Sequence, residues 1–361
     1  MHHLNLVAIG GGTGLSNLLC GMKHYLRAPE AGSGRGFGEY DLEELTAIVA
    51  VADDGGSSGR LREEFRILPP GDIRNCMVGL AEDDKLLTRL FRYRFPGGGA
   101  LGGHSFGNLF LTALSGMTGD FLEAIRCSSE LLDIKARIFP STLANVRLVA
   151  ELDDGTVVRG QHKITKVTRP IRRVRLDPPD CLPLKEALEA IHRADLIVIG
   201  PGSLFTSLIP NLLVRGIPEA IMRSPAKKIF VCNIMTEPGE TNGYSAEDHA
   251  ECLLGHFTKQ VFDLVLVNIW SISEATRQRY QADGVGQVCV KEPEDVQAEI
   301  GIGSLLLAQG QEWVPVFYRD LLEERETVRH HPAKLSSAIF QAYELLTREE
   351  LDRFCYPGQI Y

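Results

Sequence analysis

Asp195-Leu-Ile-Val-Ile199 runs directly into Gly200-Pro-Gly-Ser203-Leu-Phe-Thr-Ser207. The first stretch is a short apolar run of the kind that forms a buried strand, and Leu208, Leu212 and Leu213 then follow a helical spacing. A strand, a turn of glycine and hydroxyl residues and a helix start together aim backbone N–H groups at an anion. The N-terminus repeats the arrangement, with Leu6-Val-Ala-Ile9 entering Gly10-Gly-Gly-Thr-Gly14. Two such turns in one chain point to a phosphate-bearing ligand, a nucleotide or a nucleotide sugar. The residues expected to face it are Gly11, Gly12 and Thr13 in one turn and Gly202, Ser203, Thr206 and Ser207 in the other.

Outward from these turns the chain alternates between apolar runs and helical spacings. Leu4–Ile9 is strand-like, Leu15–Leu26 helical and Leu45–Val51 β-rich. Ile73–Ala81 and Lys85–Tyr93 are helical, and the segment from Gly103 enters another helix. Helix 183–193, strand 195–199, helix after 207, strand 228–234, helix 246–259 and strand 262–269 follow. This pattern predicts a Rossmann-like three-layer α/β/α sandwich with a mostly parallel sheet. The middle departs from it. Val146–Leu152 and Thr156–Gly160, joined by Asp153-Asp154-Gly155, read as a β-hairpin with a DG turn. Arg169–Leu176 continues as basic chain, irregular or strand-like. The expectation is one nucleotide-binding domain over residues 1–330 with a small inserted β-hairpin region at about 140–180. A C-terminal surface helix (333–346) and tail complete residues 331–361. Residues 28–44, with Pro29, Gly32, Gly34, Gly36 and Gly38, read as a flexible surface insertion. Gly303–Ala308 carries little functional signal.

Composition narrows the function. The 361 residues are 44% hydrophobic and 24% charged, which suits a packed globular core. The net charge of −9 argues against a general nucleic-acid binder, so any bound anion must be held by local geometry. The 8 cysteines form no CxxC pair and no zinc spacing, which fits a reducing cytoplasm. No apolar run is long enough to span a bilayer, and the first residues lack the pattern of a signal peptide.

Gly10 and Gly12 match the first two glycines of a dinucleotide fingerprint, but Leu15 stands where the third belongs. A plain NAD site is therefore disfavoured. Asp53-Asp54-Gly-Gly-Ser57-Ser-Gly-Arg60 ends the second β-rich run. Adjacent carboxylates there can hold Mg²⁺ beside phosphates or accept a proton from an attacking hydroxyl, and Arg60 suits phosphate. The same residues also make an ordinary polar turn. Asp72 and Asn75, in Pro70-Gly-Asp72-Ile-Arg74-Asn75, read as helix-capping or ligand groups. His104 and Asn108 share a helical face, for a phosphate or sugar or for structure alone. The polar loop 236–244, with Glu237, Thr241 and Asn242, lies at a strand's carboxyl end, where open α/β sheets bind ligands.

Six segments in order resemble the YvcK/CofD-like family: GGGTGLS at 10–16, VADDGGSSGRLR at 51–62, LPPGDIRN at 68–75, GHSFGNL at 103–109, GPGSLFTSLIPNLLV at 200–214 and CNIMTEPGETNGYSAEDH at 232–249. The resemblance covers about two thirds of the chain, to roughly residue 270. One branch of the family comprises 2-phospho-L-lactate transferases, which move phospholactate from a guanosine-diphosphate donor to a deazaflavin alcohol with Mg²⁺. The other comprises bacterial gluconeogenesis factors, which bind UDP-sugars and are linked to carbon-source use, cell shape and wall synthesis. The uninterrupted GGSSGRLREEF after Asp54 and the PPGDIRN segment are similar to the second branch. The resemblance implies a regulator that binds UDP-N-acetylglucosamine or UDP-glucose first, and a transferase second. In the transferase alternative Asp53 is the catalytic or metal-holding residue and Mg²⁺ the cofactor; the regulator requires none. Expected partners are the nucleotide or UDP-sugar, a second copy of the chain and wall-synthesis enzymes.

Overall fold

The computed structural model describes residues 2–26, 40–257, 261–290, 301–307 and 312–348. Its strands in chain order are β1 (His2–Gly10), β2 (Tyr40–Val49), β3 (Arg137–Pro140), β4 (Arg147–Leu152), β5 (Val157–Arg159), β6 (Ile171–Asp177), β7 (Leu196–Ile199), β8 (Lys227–Val231), β9 (Leu264–Asn268), β10 (Ile302–Leu307), β11 (Glu312–Arg319), β12 (Leu322–Glu324) and β13 (Val328–His330). Eight of them form the main sheet, in the order β10-β11-β9-β8-β7-β1-β2-β3. Every neighbouring pair is parallel except the edge pair β10 and β11. The predicted mostly parallel α/β sheet is what the chain forms.

The strand sequences explain their place. Leu6, Val7, Ala8 and Ile9 are buried on both faces, as are Leu196–Ile199. Continuous apolar runs of this kind belong to parallel strands covered by helices on both sides. Helix α1 (Gly12–Met22) buries Leu15, Leu18, Leu19 and Met22, spaced so that one stripe faces the sheet. From β1 the sheet grows through β2 and β3 in one direction and through β7, β8 and β9 in the other. The reversal between β1 and β7 opens a crevice at their carboxyl ends, the ligand position of doubly wound sheets.

Several elements differ from expectation. The second strand begins at Tyr40, inside the segment read as an insertion; residues 27–39 of that segment lie outside the described residues. The inserted piece is a three-stranded antiparallel sheet, β5-β4-β6, because Ile171, Val174 and Leu176 bury one face of the chain that read as irregular or strand-like. Its DG turn is present, with Gly155 at φ +82°. The helix expected over 246–259 is Ala246–Leu254, and residues 258–260 lie outside the described residues. The segment from Gly303, which carried no signal, lies in edge strand β10. The C-terminal helix spans Pro332–Thr347, but it is no surface helix: Leu335, Ile339 and Phe340 are fully buried. It crosses α1 so closely that a Cβ on Gly21 would strike Ser336 and the Pro332 carbonyl. The tail from 349 lies outside the described residues. Among the described residues no helix is long and apolar enough to cross a membrane.

The two glycine turns touch backbone to backbone. A Cβ on Gly14 would lie 2.5 Å from the Pro201 carbonyl oxygen and 3.0 Å from Gly202 N. Neither neighbour is a flexible side chain, so the clash can be relieved only by parting α1 from the turn after β7. Gly14→Ala is expected to destabilise the fold by about 2–3 kcal/mol, read as a lower urea midpoint with an unchanged slope.

Candidate functional site

The crevice is built from chain ends. β1 finishes at Gly10 and α1 starts at Gly12, whose φ of +62° a residue with a side chain rarely adopts. Gly11 precedes the helix and supplies no side-chain cap. The helix end is served instead from another element. Asp72 lies in the first turn of α3, which follows α2 in the chain (α2, Gly56–Phe65; α3, Gly71–Leu80), and its carboxylate accepts the Gly12 N–H. A Cβ on Gly11 would lie 2.6 Å from Asp72 Oδ2. Asp72 thus caps α1 rather than its own helix.

The second turn is satisfied in the same manner. The chain coils into a π-turn over Leu204–Leu208, four residues earlier than the expected helix, and Ser203 O accepts from both Ser207 N (2.9 Å) and Leu208 N (3.0 Å). Glu240 reaches in from the 236–244 loop. Its Oε2 accepts from Phe205 N at 3.1 Å and its Oε1 from the Thr206 hydroxyl at 2.8 Å. Gly202 N donates to Asn233 Oδ1 at 3.2 Å, and Asn233 Nδ2 donates to Glu237 Oε1 at 3.2 Å. Thr241 is fully buried and accepts from Glu237 N at 2.9 Å. The N–H groups of Gly12, Gly202, Phe205 and Ser207, expected to cradle a diphosphate, therefore have partners within the protein. Thr206 and Thr241 shape the loop around Glu240 and Glu237.

A cleft of about 280 Å³ opens over both turns, lined by Gly11–Gly14, Asn17, Pro201–Ser203, Ser207, Asn233–Pro238, Tyr280, Val285 and Val328–His330. At Thr236 and Val285 it meets a second hollow of about 430 Å³. Of the expected residues, Gly11, Gly12, Thr13, Gly202, Ser203, Ser207 and Glu237 lie on its wall. Burial pushes the Glu237 and Glu240 carboxyls up. Arg329 also lines the cleft and is exposed. It rides on a two-stranded hairpin (Leu322–Glu324 and Val328–His330) that carries no recognisable sequence signal. Asn233 was legible in principle, since it directly follows the buried strand end at Cys232.

The remaining expected residues form a second polar group beside the cleft. Asp53 accepts from Gly55 N at 2.9 Å and from the Ser58 hydroxyl, and burial raises its carboxyl. Asp54 turns away, accepting from His162 N at 2.8 Å and so fastening the inserted sheet to the main body. The glycines and serines after it are helix α2, not a loop. Ser57 Oγ and His104 Nδ1 are 2.9 Å apart, and Asn108 Nδ2 donates to Ser57 Oγ at 3.1 Å. Asn108 Oδ1 is buried without a hydrogen-bond partner. Burial, then Arg60, holds His104 below its usual range. Arg60 donates to Gly102 O at 2.7 Å, and Asn75 Oδ1 accepts from Arg74 at 2.6 Å. Among the described residues no three His, Cys, Asp or Glu side chains gather as a metal centre would require.

A mostly parallel sheet with its crevice at the reversal point and two facing glycine turns defines a doubly wound α/β protein. The family model for 2-phospho-L-lactate transferase CofD matches residues 6–303, and the chain belongs to the CofD family. It is 42% identical over 341 residues to a gluconeogenesis factor of Halalkalibacterium halodurans, covering 94% of this chain and 97% of that one. It is 44% identical over 283 residues to the gluconeogenesis factor of Bacillus subtilis, covering 78% and 84%. A crystal structure of a UPF0052 family member from Bacillus halodurans is similar with a TM-score of 0.82 at 42% identity, over 94% of this chain and all (100%) of that one.

Asp72 carries a pH signature. Burial, with Asp53 adding repulsion, pushes its carboxyl up to about 7. In the unfolded chain an aspartate loses its proton near pH ~4. Between these values the folded protein holds a proton that the unfolded chain has released, so this group's contribution to stability falls as pH rises through the window. Asp72→Asn is expected to flatten that fall, seen as a smaller difference in urea midpoint between mildly acidic and mildly alkaline buffer than in the unmodified protein.

Proposed function

We propose that this chain is a gluconeogenesis factor of the CofD family that binds a nucleotide sugar, UDP-N-acetylglucosamine or UDP-glucose, in the crevice between β1 and β7. It acts as a cytoplasmic regulator of carbon metabolism, cell shape and wall synthesis. The observation that carries the reading is the cleft itself, whose wall joins two glycine turns to a hairpin bearing an exposed arginine, Arg329. Glycines let a pyrophosphate approach the backbone closely, and a planar guanidinium suits its oxygens. The two joined hollows have the size of a nucleotide sugar rather than of a single phosphate. The polar atoms of Asn17, Asn233 and Glu237 are placed to recognise ribose, base or sugar hydroxyls. Titration calorimetry with UDP-sugars is expected to show saturable binding that Arg329→Ala weakens by at least about tenfold, the effect of losing a charge-assisted pair. Absence of heat with every UDP-sugar tried would sink the reading.

The family model's own description favours a second reading, transfer of a phospho-group from a nucleoside-diphosphate donor. Here Asp53 orients the acceptor hydroxyl or takes its proton, as a carboxylate raised by burial can. Asp53 and its neighbour Asp72 would hold Mg²⁺ in this reading, and the ion would supply charge neutralisation for a leaving diphosphate. Under this reading Asp53→Asn abolishes release of nucleoside monophosphate yet leaves nucleotide affinity within about threefold. If the unmodified protein releases no monophosphate from GDP- or UDP-linked donors, the transferase reading is wrong.

A further inference from the structure

The helix that follows the glycine break at 97–103 is amphipathic the wrong way round. A surface helix ordinarily turns an apolar stripe to the core and polar residues to water. In α5 (Phe106–Thr118) the buried side carries Asn108, Thr112 and Ser115 beside Gly107 and Leu111. The opposite side carries Phe106, Phe110, Ala113 and Met117, spaced four, three and four residues apart like the seam of a helix pair. Phe106 and Phe110 are half-buried, Ala113 is exposed and Met117 is 81% exposed.

The neighbouring helix extends this face. Helix α4 (Leu86–Arg92) packs on α5 through Phe91, whose ring centre lies 5.1 Å from that of Phe110. On its outer side Leu86 is 69% exposed, Leu90 37% and Tyr93, just past its end, 47%. With about half of a large side chain's roughly 200 Å² showing at each, these three and Met117 expose about 400–500 Å² of apolar surface. A monomer rarely leaves that much apolar surface uncovered in one patch. The half-buried rings and Leu114 bring the face toward the roughly 800 Å² per partner that a stable dimer buries.

Charge selects the occupant. Residues 105–119 contain no Asp, Glu, Lys or Arg, although the chain as a whole carries a net charge of −9. Partners steered by electrostatics meet on complementary charges, which this face lacks. A charge-free face holding Phe, Tyr and Met has the composition of the contact between identical subunits. It is also the part of an acidic chain that a second copy approaches without like charges meeting.

We infer that two copies of this chain pair through the α4–α5 face, about a two-fold axis that sets α5 against its counterpart near Ala113. The small side chain there lets the helix axes approach closely, and the larger side chains of each copy fill the grooves of the other. A surface that meets its own copy closes with two subunits and leaves no contact to propagate. The buried side of the same helix holds Asn108, whose Nδ2 donates to Ser57 Oγ at 3.1 Å. The helix that pairs thus also positions the polar group beside the cleft. Pairing of this kind does not depend on which ligand the cleft binds.

Sedimentation equilibrium of the full chain tests the pairing. In the micromolar range the unmodified protein is expected at twice the 39.8 kDa of one chain. Leu90→Glu and Met117→Glu together put unpaired charges into the contact, and are expected to weaken self-association by at least about a hundredfold. Trp270→Glu, at an exposed residue past the end of β9, is expected to leave the dimer intact. An unmodified protein that stays monomeric overturns the inference, and the face then belongs to a different partner. A dimer that survives both charges in a variant with native circular dichroism also overturns it, as does a dimer lost in Trp270→Glu. Should the charged variants fail to fold, hydrogen exchange of the unmodified protein decides the matter. The α5 amides must exchange more slowly in the dimer than in protein diluted to monomer, and equal rates overturn the inference.

Discussion

The fold turns on one steric fact: the turn after β1 and the turn after β7 meet without a side chain between them. Gly14 lies against the Pro201 carbonyl at a distance no Cβ tolerates. That contact lets α1 and the π-turn start side by side above adjacent strands and sets the width of the crevice. It also explains why Leu15, which replaces the third glycine of the dinucleotide fingerprint, does no harm. Leu15 is fully buried in the core under α1, and the close approach that a third glycine provides elsewhere is supplied one position earlier by Gly14.

Electrostatics then shape the site in a less familiar way. Glycine turns that end strands and open helices collect donors, and in an acidic chain these donors are quenched from within. Asp72 and Glu240 arrive from two different loops, each to satisfy the N–H groups of a turn remote from it in sequence. Both carboxyls sit above their normal range, because burial and a neighbouring carboxylate, Asp53 for one and Glu237 for the other, disfavour their charge. The crevice is thus acidic on its inner wall, with Arg329 on the hairpin side.

How far the sequence could be read follows from the range of the forces involved. The parallel sheet was legible because apolar runs such as Leu196–Ile199 advertise strands buried on both faces, and the glycine turns because backbone geometry demands their residues. The loop 236–244 was legible as a region, since it follows a strand's carboxyl end. What was missed depends on pairings across long separations. Nothing local says that Thr206 turns to Glu240, that Asp54 reaches His162, or that Asp72 caps a helix sixty residues earlier in the chain. The serines and glycines after Asp54 looked like a loop because their helix propensity is poor. They are helical because Gly59 can fold back onto the Asp54 carbonyl, where any side chain would collide.

The hairpin that carries Arg329 lies beyond residue 303, where the segment shared with the CofD family ends. The main sheet and both turns are complete before that point, apart from β11 and most of the edge strand β10. The cleft is therefore assembled from two parts of the chain: a floor within the stretch that the family model matches and a wall from beyond it. Change in that wall can alter the shape and charge of the cleft without touching a residue on which the main sheet depends. Members of one fold family can in this way part company in function while their cores remain superimposable.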